Sequence, residues 1–162
     1  MKLTRLLFIA IAASLVLTSL SPAVASDEAC WTSSPKERSL AKKTNKVRAK
    51  AGLAKLNLDP ELSFIARRNS RRMAKKGKLV HTANLGGKVT KWKLLGENVG
   101  YGVSVSQLHS MFMSSPTHKD NILTGSFRHA GVGLVKKGEY LWVTVVFESK
   151  KNPGTTLNMP SC

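Results

Sequence analysis

Acidic residues are scarce in this chain. Nine Asp and Glu stand against 26 Lys and Arg in 162 residues, a formal charge of +17. A surface of that sign favours anionic partners. Cysteine is nearly absent as well. Cys30 and Cys162 are the two present, and neither has a Cys or His close in sequence, which excludes a four-ligand zinc module. Aromatics make up 6% and do not interleave with the basic residues, so a stacking surface for nucleic acid is not indicated. There is no Gly-x-Ser-x-Gly elbow, no internal repeat and no low-complexity tract. The one long apolar run, Leu6 to Leu17, is short of the ~20 residues that span hydrocarbon, so the chain is not expected to cross a membrane.

That run has a different use. Lys2 and Arg5 precede it and Ala23-Val24-Ala25 follows it, the pattern of a secretory leader cleaved after Ala25. Cleavage would leave residues 26–162 as an exported single domain with a formal charge of +15, since Lys2 and Arg5 depart with the leader. In an oxidising compartment Cys30 and Cys162 can pair and tie the two ends together, with Pro153 to Cys162 as a tail held by that bond. Two free thiols are the alternative.

Helix starts are marked by capping oxygens and prolines. Ser34-Pro35 with Glu37, Asp59-Pro60 and Ser115-Pro116 each place a cap before a proline whose missing N–H costs nothing in a first turn. Ser104 with Gln107 reads as a capping box. The expected helices run over about 35–51, 60–77, 105–113 and 116–122. Lys42, Lys43, Lys46, Arg48 and Lys50 fall on the first. On the second, Leu62, Ile65, Ala66, Asn69 and Met73 recur at helical spacing, leaving Arg67, Arg68, Arg71, Arg72 and Lys75 as a cationic, anion-binding ridge on the other side.

Strand patterning comes late. Ala130, Val132 and Leu134 alternate with Gly131, Gly133 and Val135; Leu141, Val143, Val145 and Phe147 alternate with Trp142, Thr144 and Val146. Lys136 to Glu139 suits the connecting hairpin, and a further strand runs through Leu95 to Gly102. Helices followed by antiparallel strands predict an α+β fold.

The order of several short motifs across about 45–147 resembles the CAP superfamily, the SCP-like domain shared by cysteine-rich secretory proteins, antigen 5 and plant pathogenesis-related proteins. The motifs are Asn45 and Arg48, the Leu62, Ala66, Met73, Gly77, His81 series, Gly96-Glu97-Asn98, Ser115-Pro116, His118, Asn121-Ile122-Leu123 and Gly131-Val132-Gly133. The resemblance implies a three-layer α-β-α sandwich with a central antiparallel sheet and a cleft on one side. It also implies a cleft set of two histidines and two glutamates that often holds a divalent metal. His81, Glu97 and His118 fill three of those positions, and Ser115 stands where the second carboxylate would be.

Two imidazoles can ligate zinc, and Glu97 would then be a third ligand, orient a ring, or accept a proton from bound water. A buried polar cluster without metal is the alternative. Asn98 and Ser115 belong to the same cleft: Asn98 would serve the loop backbone, and Ser115 would cap the helix that presents His118. His109 and His129 are read as surface or packing residues. The functional expectation is a secreted, monomeric binding module for anionic wall polymers, lipid headgroups or glycosaminoglycans, with no physiological nucleic-acid role. A metal-assisted hydrolase with Glu97 as the catalytic base is the alternative.

Overall fold

The computed structural model describes residues 31–150 and 153–160. The expected leader and both cysteines, Cys30 and Cys162, with the pairing expected of them, lie outside the described residues. Four helices form where caps and prolines place them: α1 (Pro35–Lys50), α2 (Pro60–Lys76), α3 (Val105–Ser114) and α4 (Pro116–Leu123). The strands are β1 (Asn57–Leu58), β2 (Val89–Thr90), β3 (Leu95–Gly102), β4 (His129–Lys137), β5 (Tyr140–Glu148) and β6 (Gly154–Thr155).

Ser34 and Glu37 close a reciprocal capping box on α1, and Asp59 accepts from the Leu62 amide at 2.8 Å to open α2. Two expected caps differ in detail. Ser104 accepts from Gln107, but the Gln107 side chain reaches back to the Val103 amide instead of Ser104. Ser115 occupies the N-cap position of α4 without a side-chain hydrogen bond; its backbone carbonyl, not its hydroxyl, serves the first turn.

The main sheet has the order β1-β4-β5-β3, antiparallel across β4, β5 and β3. The expected central antiparallel strands are β4, β5 and β3, and at one edge the two-residue β1 adds to β4 in parallel, so the sheet as a whole is mixed. Two residues carry no readable alternation, which is why β1 left no trace in the sequence. The same holds for β2 and β6, which pair as a second small sheet. The stretch 153–160 is therefore anchored by backbone pairing of Gly154 and Thr155 with Val89 and Thr90.

Period-two alternation sorts the two cores. Leu141, Val143, Val145 and Phe147 of β5 pack with Leu40, Leu108, Phe112 and Ile122 under α1, α3 and α4. Their alternates Trp142 and Val146 face α2, meeting Met73 and Leu62. Helices thus cover both faces, giving the α-β-α layering. Gly131 and Gly133 explain how α2 comes so close: a Cβ at Gly133 would lie 2.0 Å from the Arg67 backbone nitrogen, and one at Gly131 2.1 Å from the Leu62 carbonyl carbon. Only glycine leaves the helix backbone room at those points.

Two charged residues expected on a solvent face or a cap are interior, and a third, half-buried, is drawn off its expected face. Arg48 is fully buried, donating to four carbonyls, and is not part of the α1 cationic face. Glu37 is fully buried, pairs with Arg67 and accepts from the Leu134 amide at 3.0 Å, joining α1, α2 and β4. Arg67, with its guanidinium also 3.7 Å above the Trp31 ring centroid, leaves the expected ridge. A helix wheel sees only one helix's own periodicity, whereas the partner that buries Arg67 comes from α1.

Candidate functional site

Glu97 and Asn98 are neighbours on β3, so their side chains leave opposite faces of the sheet at its edge. On the α2 side, Glu97 is tied to the segment after α2. Its Oε2 accepts from the Thr82 amide at 2.9 Å and meets His81 Nδ1 at 2.7 Å, while its Oε1 takes the Thr82 hydroxyl. The Glu97 side chain is 6% exposed and that of His81 66%. A nearly buried carboxylate thus holds a mostly exposed imidazole by one nitrogen, leaving Nε2 for other contacts. Thr82 escaped the sequence reading; its adjacency to His81 was the one available signal, and a lone threonine rarely stands out.

On the other face Asn98, fully buried, builds the support for His118. Its Nδ2 donates to the His118 carbonyl at 2.9 Å, and its Oδ1 accepts from Asn121 Nδ2 at 2.9 Å. Asn98 lies in a strand and braces α4, where the sequence suggested a loop role. The His118 ring tilts against Phe112 at 5.1 Å between centroids. Leu79, Tyr101, Met111, Phe112 and Ser115 join it around a cavity of about 190 Å³. Burial in this apolar setting, and then the positive charge available to His81, push the His118 pKa below the ordinary imidazole value.

The structure therefore brings His81 and Glu97 into contact, and places His118 and Ser115 together at the neighbouring cavity. It does not assemble a metal cage: among the described residues no group of three or more His, Cys, Asp and Glu side chains converges to hold an ion. Both Glu97 oxygens and His81 Nδ1 are already committed to one another and to Thr82. The expected zinc set of His81, His118 and Glu97 does not fit the metal as these side chains stand, and no chemistry is derived through one. Elsewhere, His129 opens β4, and His109 on α3 buries an Nε2 that has no partner among the described residues.

With this geometry, the comparisons with other proteins agree. The model of the cysteine-rich secretory protein family, CAP, matches residues 41–147. The chain belongs to the CAP family. It is 32% identical over 138 residues to the YkwD protein of Bacillus subtilis, covering 76% of this chain and 53% of that protein, so it spans about half the relative's length. Among solved structures, an outer surface protein from Borrelia burgdorferi superposes with a TM-score of 0.65 at 18% identity, over 72% of this chain and 93% of that one. An extracellular SCP-domain protein from Bacillus anthracis gives a TM-score of 0.63 at 22% identity, over 71% of this chain and 40% of that one. At these identities the structures speak for the fold.

Proposed function

We propose that this chain works outside the cytoplasm as a binding module for anionic polymers or headgroups, held by the cationic outer faces of α1 and α2. The observation that carries this reading is the imbalance of exposed charge. Asp120 and Glu139 are the exposed acids among the described residues, whereas Lys42, Lys46, Lys50, Arg71, Lys75 and Lys76 on α1 and α2 are all exposed. The leader-like first 25 residues, and relatives described as extracellular or outer-surface proteins, support the location. No helix of the described residues is long and apolar enough to cross a membrane.

Heparin and phosphatidylglycerol vesicles are the probes. Affinity is expected to fall at least about tenfold between roughly 50 and 300 mM salt, as the Debye length shrinks below the spacing of surface charges. Replacing Arg71, Lys75, Lys76 and Lys78 with serine is expected to weaken it similarly. Salt-indifferent binding, or none, would refute the proposal. The metal-assisted hydrolase lacks a supporting observation because Glu97 is engaged on both oxygens. One zinc per purified chain, lost in His81→Ala and His118→Ala, would reinstate it.

A further inference from the structure

On the α2 side of the sheet a second cavity, of about 280 Å³, opens between α2, the segment that follows it and Leu157 near the C-terminus. Arg68 and Arg72, one turn apart on α2, and Lys88 bring three cations to its wall, and no carboxylate lines it. Ile65 and Leu157 supply apolar walls, a setting in which electrostatic attraction is stronger than in open water.

Arg72 is held in place before any ligand arrives. Asn69, itself buried, donates from Nδ2 to the Val80 carbonyl at 3.0 Å and to the Thr144 hydroxyl at 3.1 Å, and its Oδ1 accepts from Arg72 Nη2 at 2.6 Å. The same Nη2 donates to the His81 carbonyl. A guanidinium carries five N–H donors, yet the buried Nε of Arg72 has no acceptor among the described residues. That Nε is closed off from solvent, so the donors left for a ligand are the two N–H groups of Nη1, which has no partner among the described residues. Lys88 Nζ is steered by the carbonyls of Ala83 and Asn84, so its charge stays near the cavity, and Arg68 sits 5.8 Å over the Phe64 ring. Thr82 offers an anion no donor, because its amide and hydroxyl hydrogens are spent on Glu97, which leaves the cations to carry the site.

We infer that the Arg68–Arg72–Lys88 cavity is a discrete oxyanion site that takes a phosphoryl group. Three cations lining one small cavity suit a tetrahedral dianion better than a single carboxylate. The volume lies just under the ~300–1,000 Å³ of drug-sized ligand sites, which fits one small group rather than a large ligand. This site is saturable and local, so it stands apart from the diffuse surface attraction proposed above and survives if that attraction fails.

The test is calorimetric titration of the full chain at a constant ionic strength of about 0.15 M, which screens exposed charges beyond ~8 Å. The probes are inorganic phosphate, sn-glycerol 3-phosphate, and phosphatidic acid against phosphatidylcholine vesicles. One-site binding to at least one phosphate probe is expected. Arg68→Gln and Lys88→Gln should each weaken it several-fold and together at least tenfold. Arg72→Gln should abolish it; because Arg72 also braces the His81 carbonyl, the two rim variants keep the test decisive if that variant misfolds. Lys136→Gln, exposed on β4 and outside the cavity, should change it less than twofold. Equal binding of the soluble phosphates assigns a free ligand; vesicle binding competed by glycerol phosphate assigns a headgroup. No saturable binding to any probe, or equal weakening by Lys136→Gln and the rim variants, would overturn the inference.

Discussion

Arg48 offers the sharpest test of how this fold is held. Its guanidinium is fully buried, and among the described residues it forms no ion pair. The charge is met by carbonyls: Nε donates to Ala54 at 2.9 Å, Nη1 to Ile122 at 2.8 Å and Thr124 at 2.9 Å, and Nη2 to Phe127 at 3.3 Å. Ile122 and Thr124 lie at the C-terminal end of α4, where unpaired carbonyls and the helix dipole favour a cation. Burial, and then the nearby Arg128 charge, pull the Arg48 pKa down, so the four carbonyls must offset both effects. Arg48→Lys keeps the charge but concentrates its donors on one nitrogen, which cannot span acceptors from three chain segments. Losing about two charge-assisted hydrogen bonds at ~1.5–3 kcal/mol each predicts a destabilisation of about 3–6 kcal/mol. With an unfolding entropy near 2.1 cal/mol/K per residue over this length, melting should fall by roughly 10–20 °C. Urea and thermal denaturation followed by circular dichroism measure this. Hydrogen exchange should show the amides of 122–127 losing protection first. A shift under about 4 °C, with those amides still protected, would refute the carbonyl-cage reasoning.

Three further outcomes follow from the same geometry. Gly133→Ala drives a methyl into the α2 backbone at 2.0 Å and should cost at least about 3 kcal/mol, read as a drop in urea midpoint; a loss below ~1 kcal/mol would mean α2 can lift off the sheet freely. Glu97→Gln should keep the fold at a cost of about 1–2 kcal/mol while releasing His81 and Thr82, seen as faster exchange of the Thr82 amide; unchanged exchange would show that the carboxylate is not what holds that segment. His118 and His109 both have pKa values pushed down, chiefly by burial, so below the ordinary imidazole pKa the unfolded chain binds more protons than the native one. Stability should therefore fall as pH drops from about 7.5 through ~6.5, and His109→Gln should flatten that fall; a melting temperature constant across the window would contradict it.

Features whose physics is local were legible in the residues alone. Caps and prolines placed all four helix starts, because a side-chain oxygen and a missing N–H act within one turn. Alternation along 130–135 and 141–147 marked β4 and β5, because sheet faces repeat every second residue. The ordered motifs pointed to the family. The fate of the charges, by contrast, was settled by contacts between distant segments. Arg48 and Glu37 read as surface or cap residues until α4 and α2 supplied their partners, and Arg67 left the ridge for the same reason. Glu97 acquired Thr82 across 15 positions, and Asn69 fixed Arg72 at the second cavity by reaching Thr144, 75 positions away. Such pairings depend on which segments meet in space, and no periodicity within a single element encodes that.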